Sequence, residues 1–596
     1  MTNQTVINAP LLGTVAALLV EEGNTVTAGD TLVILEVMKV QTSINAPHSG
    51  VVSKMLVELY AMVEKGTPLL SIEAKQNNDN IEQESTPSNA AYSDTMLVEF
   101  RARQTKTLDS QRIQARDKRH QRGNRTAREN LAHLCDPDSF HEYGQLAVAA
   151  QRGRTDFETL QSKTAADGII TGIGNVNSAE FSESNTKTAI VVNDYSVLAG
   201  TQGFFHHMKL DRILEVAKRQ LLPVVMYSEG GGGRPGDTDV TVVNSGLQCA
   251  SFSSWAGLAG VVPRVAIGNG YNFAGNAALF GAADITIATT NSWIGMAGPA
   301  MITGGGLGQF KATDIGPIEV QSANGVVDIV ADDEQHATEL AKTCLGFFQG
   351  KTTDWKSHEQ STIADHLPSN RRFAYQVRDI ITTLADQDSF IELKPAYGGA
   401  IVTGLARLEG IPVGIMANDC NVLGGAIDVP AGEKAADFMQ LCSQFSIPIL
   451  SLCDTPGFMV GPEHEELGAV RRLAKMFTAG ALLTVPMFAI VLRKCYGLGA
   501  QAMVGGSTSR PDYIASWPTG EFGPMGLEGA VELGFKKELD AQTDPKKRQA
   551  LFDQLLAQQY ARGQASEVAT SLEIDAVIEP STSRAQIISM LKSFDE

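Results

Sequence analysis

The sequence predicts an α/β protein in which a small all-β barrel precedes two tandem α/β domains of related build. Three observations predict it: a gapless duplication inside the segment 1–75, a larger duplication in the rest of the chain, and a polar stretch between the two. The expected boundaries are 1–75 for the barrel, 76–96 for a flexible linker, and 97–355 and 356–596 for the two α/β domains.

The first duplication has a constant spacing: Ala9-Pro10 returns as Ala46-Pro47, Gly13 as Gly50, Val15 as Val52, Gly29 as Gly66 and Leu32 as Leu69. Each copy alternates apolar and polar residues over short runs punctuated by glycine, the pattern of short strands and tight turns. Two copies of one β-meander predict a flattened barrel with pseudo-two-fold symmetry. Val37 to Ile44, between the copies, then forms a hairpin with Met38-Lys39 at its tip.

The linker, 76–96, is polar and has no hydrophobic period. As a coil of that length it spans about 25 Å. Residues 97–122 contain neither Gly nor Pro and predict a helix. Between Arg101 and Arg128 there are ten Lys/Arg against two acids, inverting the sign of a chain whose net charge is −19.

The second duplication is longer and again holds one spacing over most of its length. Asn193-Asp194 returns as Asn418-Asp419, Lys209 as Lys434, Pro223 as Pro448 and Tyr271 as Tyr496, while Gly275 aligns with Ala500. Each Pro opens an apolar run, Val224 to Tyr227 or Ile449 to Leu452, and each run ends in a glycine-bearing loop. Ordered, near-gapless matches over this length predict two related domains from one duplication.

Composition excludes several classes of function. An acidic chain lacks the basic footprint of a nucleic-acid binder. Hydrophobic content of 43% excludes general disorder. The seven cysteines form no C-x-x-C, which argues against a zinc ribbon or dithiol motif. Met1 to Gln4 has no signal-peptide pattern, and the longest apolar stretch, Ala479 to Leu492, is too short and interrupted for a transmembrane segment. A cytoplasmic location is expected. His206-His207 is a poor metal site, because adjacent helical side chains point about 100° apart.

Lys39, within Glu36-Val37-Met38-Lys39-Val40, sits at the symmetry hairpin of a tethered β unit, a display suited to a swinging covalent cofactor. These residues resemble the biotinyl (biotin carboxyl carrier) domain. The resemblance implies biotin attached to Lys39 beside Met38, loaded by a biotin protein ligase. The glycine loop Ser228-Glu229-Gly230-Gly231-Gly232-Gly233-Arg234 lacks the Walker pattern. Consecutive glycines let backbone N–H groups approach a substrate oxygen, as an oxyanion site requires.

Residues from about 97 onward resemble the carboxyltransferase of acyl-CoA carboxylases, the propionyl-CoA carboxylase β-subunit type. The matching stretches include Thr126-Ala127-Arg128-Glu129-Asn130, Asp454-Thr455-Pro456-Gly457-Phe458, Arg493-Lys494-Cys495-Tyr496-Gly497 and Ile574-Asp575-Ala576-Val577. The resemblance implies two tandem crotonase-like domains and transfer of a carboxyl group from carboxybiotin to the α-carbon of a short acyl-CoA such as acetyl- or propionyl-CoA. It implies Gly231 and Gly232 as donors to the thioester oxygen and Gly499 and Ala500 as donors to the ureido oxygen of biotin. Tyr496 joins the cofactor side, and Gly230 and Gly233 join the substrate side. The basic stretch 101–128 has two readings: a charged helix packing at a subunit contact, or a set of arginines, Arg128 among them, that bind the phosphates of the polyanionic CoA. It further implies a homo-oligomer, a dimer or a trimer of dimers, with each site completed between two subunits. ATP, Mg and bicarbonate are assigned to a separate biotin carboxylase subunit. A decarboxylase running the transfer in reverse and a non-catalytic carrier are the competing readings.

Overall fold

The computed structural model describes residues 4–74, 90–240 and 247–594. They divide into two compact units, Met1–Thr95 and Met96–Glu596. Most of the expected linker, 76–89, lies outside the described residues.

The described residues of the first unit form eight strands: β1 (Gln4–Asn8), β2 (Gly13–Leu18), β3 (Thr25–Val26), β4 (Thr31–Val37), β5 (Val40–Asn45), β6 (Gly50–Met55), β7 (Met62–Val63) and β8 (Pro68–Ala74). They form two four-stranded sheets, β1-β8-β6-β3 and β5-β4-β2-β7. The spacing that relates Gly13 to Gly50 carries β2, β3 and β4 onto β6, β7 and β8, so each sheet is the image of the other. Val15, Leu32, Leu35, Leu69, Leu70 and Ile72 fill the space between them and are fully buried. Gly50 is required by a close approach: a Cβ there would lie 2.4 Å from the Glu73 carbonyl oxygen. Gly50→Val is expected to lower the melting transition of this unit by about 1–3 kcal/mol of stability, the usual cost of overpacking. Calorimetry of the full chain should show that transition shifting while the transition of the second unit stays in place.

The second unit holds two sheets of one design. The first contains β9 (His141–Tyr143), β10 (Ile169–Asn175), β11 (Lys187–Asn193), β12 (Val224–Gly230), β13 (Arg264–Phe273), β14 (Ile285–Gly295) and β15 (Ile329–Ala331), ordered sequentially across the sheet. The second contains β16 (Ile391–Leu393), β17 (Ile401–Leu408), β18 (Ile411–Asn418), β19 (Ile449–Thr455), β20 (Met487–Tyr496), β21 (Tyr513–Ser516) and β23 (Ala576–Val577), with β22 (Glu521–Gly523) paired to β20. In each, the first three strands are antiparallel and the rest parallel. Parallel strands need crossover helices that cover both faces, which is why these strands read as continuous apolar runs. All seven residues of β12 and of β19 are buried, and the spacing that relates Asn193 to Asn418 makes the two strands coincide residue for residue. This is the small β domain followed by α/β domains that the sequence predicts.

The duplication reaches further upstream than that spacing reveals. Helix Ala127–Leu134 and β9 recur as helix Val377–Leu384 and β16, at a larger offset than the strands that follow. The unequal offsets reflect connecting segments of different length in the two halves, which hide the match from a fixed-offset comparison.

The helix expected over 97–122 is broken. One helix spans Ala90–Thr105, beginning inside the expected linker, and a second spans Ile113–His120. Tertiary bonds compete with the helix between them: the Thr107 carbonyl accepts from Arg128 Nε at 2.9 Å, and Asp109 accepts from Thr126 Oγ1 at 2.5 Å. Six of the seven cysteines are buried and none is bridged. Among the described residues no helix is long and apolar enough to cross a membrane.

Candidate functional site

The glycine loop leaves the buried end of β12, and its carbonyls are individually held. Asn276 Nδ2 donates to the Gly231 carbonyl at 2.8 Å and to the Gly200 carbonyl at 3.0 Å, while Gln202 Nε2 fixes the Asn276 amide at 2.9 Å. The Gly232 carbonyl accepts from the Gln202 N–H at 3.0 Å. A trans peptide holds its C=O and N–H on opposite edges. Pinning the carbonyls of Gly231 and Gly232 therefore turns the N–H groups of Gly232 and Gly233 away from these partners. The Gly231 N–H is itself directed at the Ala199 carbonyl, 3.3 Å away.

Downstream, Arg234 anchors the loop through a buried ion pair with Asp167 at 2.5 Å and a bond from Nη2 to the Thr201 carbonyl at 2.9 Å. Burial raises the Asp167 carboxyl, with Arg234 opposing the shift. Asp167 and Ala166 both occupy left-handed backbone, and the Lys209 amine bonds the Ala166 carbonyl beneath them at 2.9 Å. Its repeat partner Lys434 binds the carbonyls of Lys394 and Tyr397 at 2.8 and 3.0 Å. Burial pushes both amines down to about 8.

Facing the loop is the start of helix Gly275–Gly281, where the first-turn N–H groups lack intrahelical partners. A Cβ on Gly232 would lie 2.7 Å from Ala274 Cβ and 3.8 Å from Gly275 N. Ala274 adopts φ 53°, ψ −120°. Backbone strain of this kind costs about 1–3 kcal/mol and concentrates at functional sites. Loop amides and a helix start thus converge on one spot.

The second half repeats the arrangement with other residues. Ile427 N–H donates to the Gly457 carbonyl at 3.0 Å and the Ile427 carbonyl accepts from Met459 at 2.9 Å, as Gln202 does with Gly232 and Arg234. The Phe458 N–H is thereby turned outward. Gly499 packs on this peptide so closely that a Cβ would fall 2.5 Å from the Gly457 carbonyl carbon. Gly499 and Ala500 lie near the start of helix Gly497–Met503, and Ala500 is buried.

Other residues singled out from sequence are placed as follows. Gly230 ends β12 with φ 127°, and Gly233 forms a parallel bridge with Gln202. Tyr496 caps the second helix start, but its hydroxyl donates to Glu521 at 2.8 Å, so it reaches this region through backbone alone. Arg128 is a structural cation. Its guanidinium bonds Glu142 at 3.0 and 3.2 Å and the Thr107 carbonyl at 2.9 Å. The same helix-to-strand pair recurs in the second half as Arg378 and Glu392 at 2.6 and 2.8 Å, which marks it as architecture common to both halves. His207 bonds Ser251 at 2.9 Å while His206 is buried, and no group of three metal-ligating side chains occurs among the described residues. Sequence reasoning missed Ala274, Phe458, Asn276 and Gln202. The repeat spacing, applied to the loops as well as the strands, pairs Gly232 with Gly457 and would have found the first two.

In the first unit Met38 and Lys39 are the two central residues of the β4–β5 hairpin, with φ 49° and 69°. Two left-handed residues are what a two-residue hairpin of this type requires, and Asn-Gly usually supplies them. Met38-Lys39 accepts the strain at a tip where Met38 is 94% exposed.

A strained, exposed lysine on a duplicated β unit, joined in one chain to a duplicated α/β unit with two sets of aimed amides, defines a carrier fused to a group-transfer enzyme. Comparison with known proteins agrees. Residues 118–595 match the carboxyl transferase domain family, and residues 5–72 match the biotin-requiring enzyme family. The chain is 31% identical over 493 residues to the methylmalonyl-CoA carboxyltransferase 12S subunit of Propionibacterium freudenreichii subsp. shermanii, covering 80% of this chain and 90% of that one. A solved single-chain, multi-domain long-chain acyl-CoA carboxylase superposes with TM-score 0.79 and 46% identity, covering 98% of this chain. This chain spans 56% of that carboxylase's length. Transcarboxylase 12S, solved as a hexamer with methylmalonyl-CoA bound, superposes with TM-score 0.74 and 28% identity, covering 87% of this chain and 97% of that one. The chain belongs to the carboxyl transferase family and is a biotin-dependent carboxyltransferase carrying its own biotin-requiring domain.

Arg128→Met is expected to destabilise the second unit by about 2 kcal/mol, since it strands Glu142 in a partly buried position. The Michaelis constant for acyl-CoA should stay within about twofold of wild type, because the altered interaction is structural. Denaturant melts and steady-state kinetics on the same preparation check both.

Proposed function

We propose that this chain moves a carboxyl group between biotin on Lys39 and the α-carbon of an acyl-CoA, as the carrier and carboxyltransferase component of an acyl-CoA carboxylase. The observation that carries the reading is the pair of matched sites, each a loop amide with a pinned carbonyl set against a helix start. Two enolate-like oxygens develop in such a transfer, one on each reactant, and each needs donors fixed before the charge appears.

The exposed hairpin tip fits covalent attachment at Lys39, with Met38 beside it as a recognition residue. Bound biotin supplies the carboxyl carrier; the remaining steps belong to this chain's own groups. Gly232, Gly233 and the amide at Gly275 face the thioester oxygen, with Gly230 and Gly231 giving the loop room to turn. Phe458, Gly499 and Ala500 face the ureido oxygen of biotin, and Tyr496 sets the helix that presents the last two. Coenzyme A phosphates are assigned to Lys118 and Arg122 in place of Arg128. These two line a cleft of about 280 Å³ that also touches Tyr195 and Ala199, and neither forms an ion pair with a described residue.

The division at 97–355 and 356–596 follows the two sheets. Exposed Met296, Met301 and Leu307 in one half and Val460, Val470 and Leu498 in the other support a homo-oligomer in which one copy's first half faces another's second half. A biotin carboxylase using ATP, Mg and bicarbonate and a biotin protein ligase are the protein partners of this reading, in the cytoplasm.

The test is a coupled assay of the biotinylated chain with a biotin carboxylase, ATP, labelled bicarbonate and a panel of acyl-CoAs. Label should enter at least one acyl-CoA, and Lys39→Arg should abolish it. Gly232→Val keeps the N–H but sets a Cβ 2.7 Å from Ala274 Cβ, so it should push the loop off the helix start and lower transfer by at least about tenfold with the fold intact by circular dichroism. Failure of the wild-type chain to label any acyl-CoA, with biotinylation confirmed by intact mass, contradicts the reading.

A further inference from the structure

Immediately upstream of the glycine loop lies a buried ion cluster that the transfer chemistry does not use directly. Arg119, from helix Ile113–His120, binds Glu229 in a fork: Nη1 to Oε1 at 2.6 Å and Nη2 to Oε2 at 2.9 Å. Glu229 is the penultimate residue of β12, two positions before Gly231. The same guanidinium lies 3.6 Å from Glu334, which opens helix Glu334–Gln349. Glu334 accepts from Asn130 Nδ2 at 2.5 Å and from the Arg125 N–H at 2.9 Å. The three charged side chains are each at most about 10% exposed. The cluster is built in: Gly270 has φ 58°, and a Cβ there would lie 3.0 Å from Glu229 Oε1.

The second half shows how unusual its charge balance is. By the repeat spacing Glu229 corresponds to Asp454, which also precedes its loop. Asp454 receives Arg493 at 3.0 Å, Lys494 at 2.7 Å and the Tyr375 hydroxyl at 2.9 Å, two cations on one carboxylate. The first half has two carboxylates on one guanidinium. Asp194 nearby is already paired with Arg112 at 2.6 Å, and the Arg125 guanidinium is engaged by His133 and the Glu129 carbonyl. Arg122, Tyr195, Tyr271 and the buried Tyr227 are further titratable groups around the cluster.

We propose that Arg119, Glu229 and Glu334 form a clamp whose proton occupancy sets the position of the acyl-side glycine loop. The proposal rests on the reading of that loop as the acyl-side donor site. Both oxygens of Glu229 accept a hydrogen bond in the fork, which requires the ionised carboxylate. A proton on either oxygen removes one arm and frees the end of β12 to rotate. Glu229 and Arg119 act through the loop amides and are positioning residues.

Burial, opposed by Arg119 and assisted by the charges of Glu334 and Asp194, raises Glu229 from its ordinary 4.5 to about 7. Burial raises Glu334 as well. For an acid raised on folding, the folded state binds more protons than the unfolded state between the two values, so stability falls as pH rises from about 4.5 through 7. Transfer follows the ionised clamp and rises over the upper part of that window. Opposite slopes in rate and stability from one carboxylate distinguish a positioning clamp from a passive ion pair.

The experiment measures single-turnover carboxyl transfer from methylmalonyl-CoA to the biotin of the full-length biotinylated chain from pH 6 to 8. It runs alongside melting temperatures and amide exchange of peptides covering 229–234 and, as control, 453–459, each corrected for intrinsic exchange. In wild type the rate should rise about fivefold or more with an inflection near 7, and protection at 229–234 should rise with it. Glu229→Gln should flatten both profiles and lower the rate about tenfold with the Michaelis constant within twofold, and the wild-type-minus-variant difference in melting temperature should fall with pH. Glu334→Gln, which leaves Arg119 to Glu229 alone, should move the inflection downward and guards against a Glu229→Gln chain that does not fold. A wild-type pH profile in Glu229→Gln, or pH-independent exchange at 229–234, overturns the clamp. Titrating exchange in a wild-type chain that transfers nothing supports the clamp and removes the acyl-site reading instead.

Discussion

A trans peptide places its carbonyl and its amide on opposite edges, so whatever binds the carbonyl aims the amide. Much of the second unit serves to exploit that constraint at two places. Asn276 and Gln202 hold the carbonyls of Gly231 and Gly232, and Ile427 holds that of Gly457. The holding groups, the Asn276 side chain and the backbone N–H groups of Gln202 and Ile427, belong to buried residues, so the amides are fixed in advance. Preorganisation of this kind is what makes a neutral N–H an effective partner for developing charge.

The same constraint explains the concentration of glycine and the placement of ions. A donor loop must come close to its ligand and to the facing helix start, and at Gly499 a single added carbon would collide with the opposite loop. Flexible residues then need external fixing. Arg234 with Asp167 fixes the first glycine loop downstream, Glu229 with Arg119 fixes it upstream, and Asp454 with Arg493 and Lys494 fixes the other half. The basic segment 101–128, which by charge alone suggests a polyanion site, also supplies partners to internal carboxylates. Arg112, Arg119 and Arg128 each reach an acid of the α/β core. Lys118 and Arg122, by contrast, are exposed and line an open cleft.

How much of this was legible in the sequence follows from where information is local. Repeats at fixed spacing report strands and their order directly, so the two sheets of the first unit, the hairpin at Met38-Lys39 and the matched β12 and β19 were readable. The glycine loop at 230–233 was readable as a loop, because consecutive glycines after a buried strand end it, while a turn, a phosphate cradle and an oxyanion site all stayed open as its use. Aimed amides were not, because their direction depends on Asn276 and Gln202, which are unremarkable polar residues until the fold brings them under the loop. The partner of Arg128 was not legible for a related reason: a charge pattern shows that cations are present but not which carboxylates will claim them. The break at 106–112 was hidden because the bonds that cause it come from Arg128 and Thr126 further along the chain.

The central claim is that backbone N–H groups, rather than side chains, stabilise the charge formed in transfer. Replacing the Gly232 amide by an ester, with glycolate in place of glycine, deletes that N–H and adds no side chain. Single-turnover transfer measured on this protein should fall about 10²–10³-fold while binding of acyl-CoA and the melting temperature change little. Transfer within twofold of wild type in the folded ester variant would contradict the account.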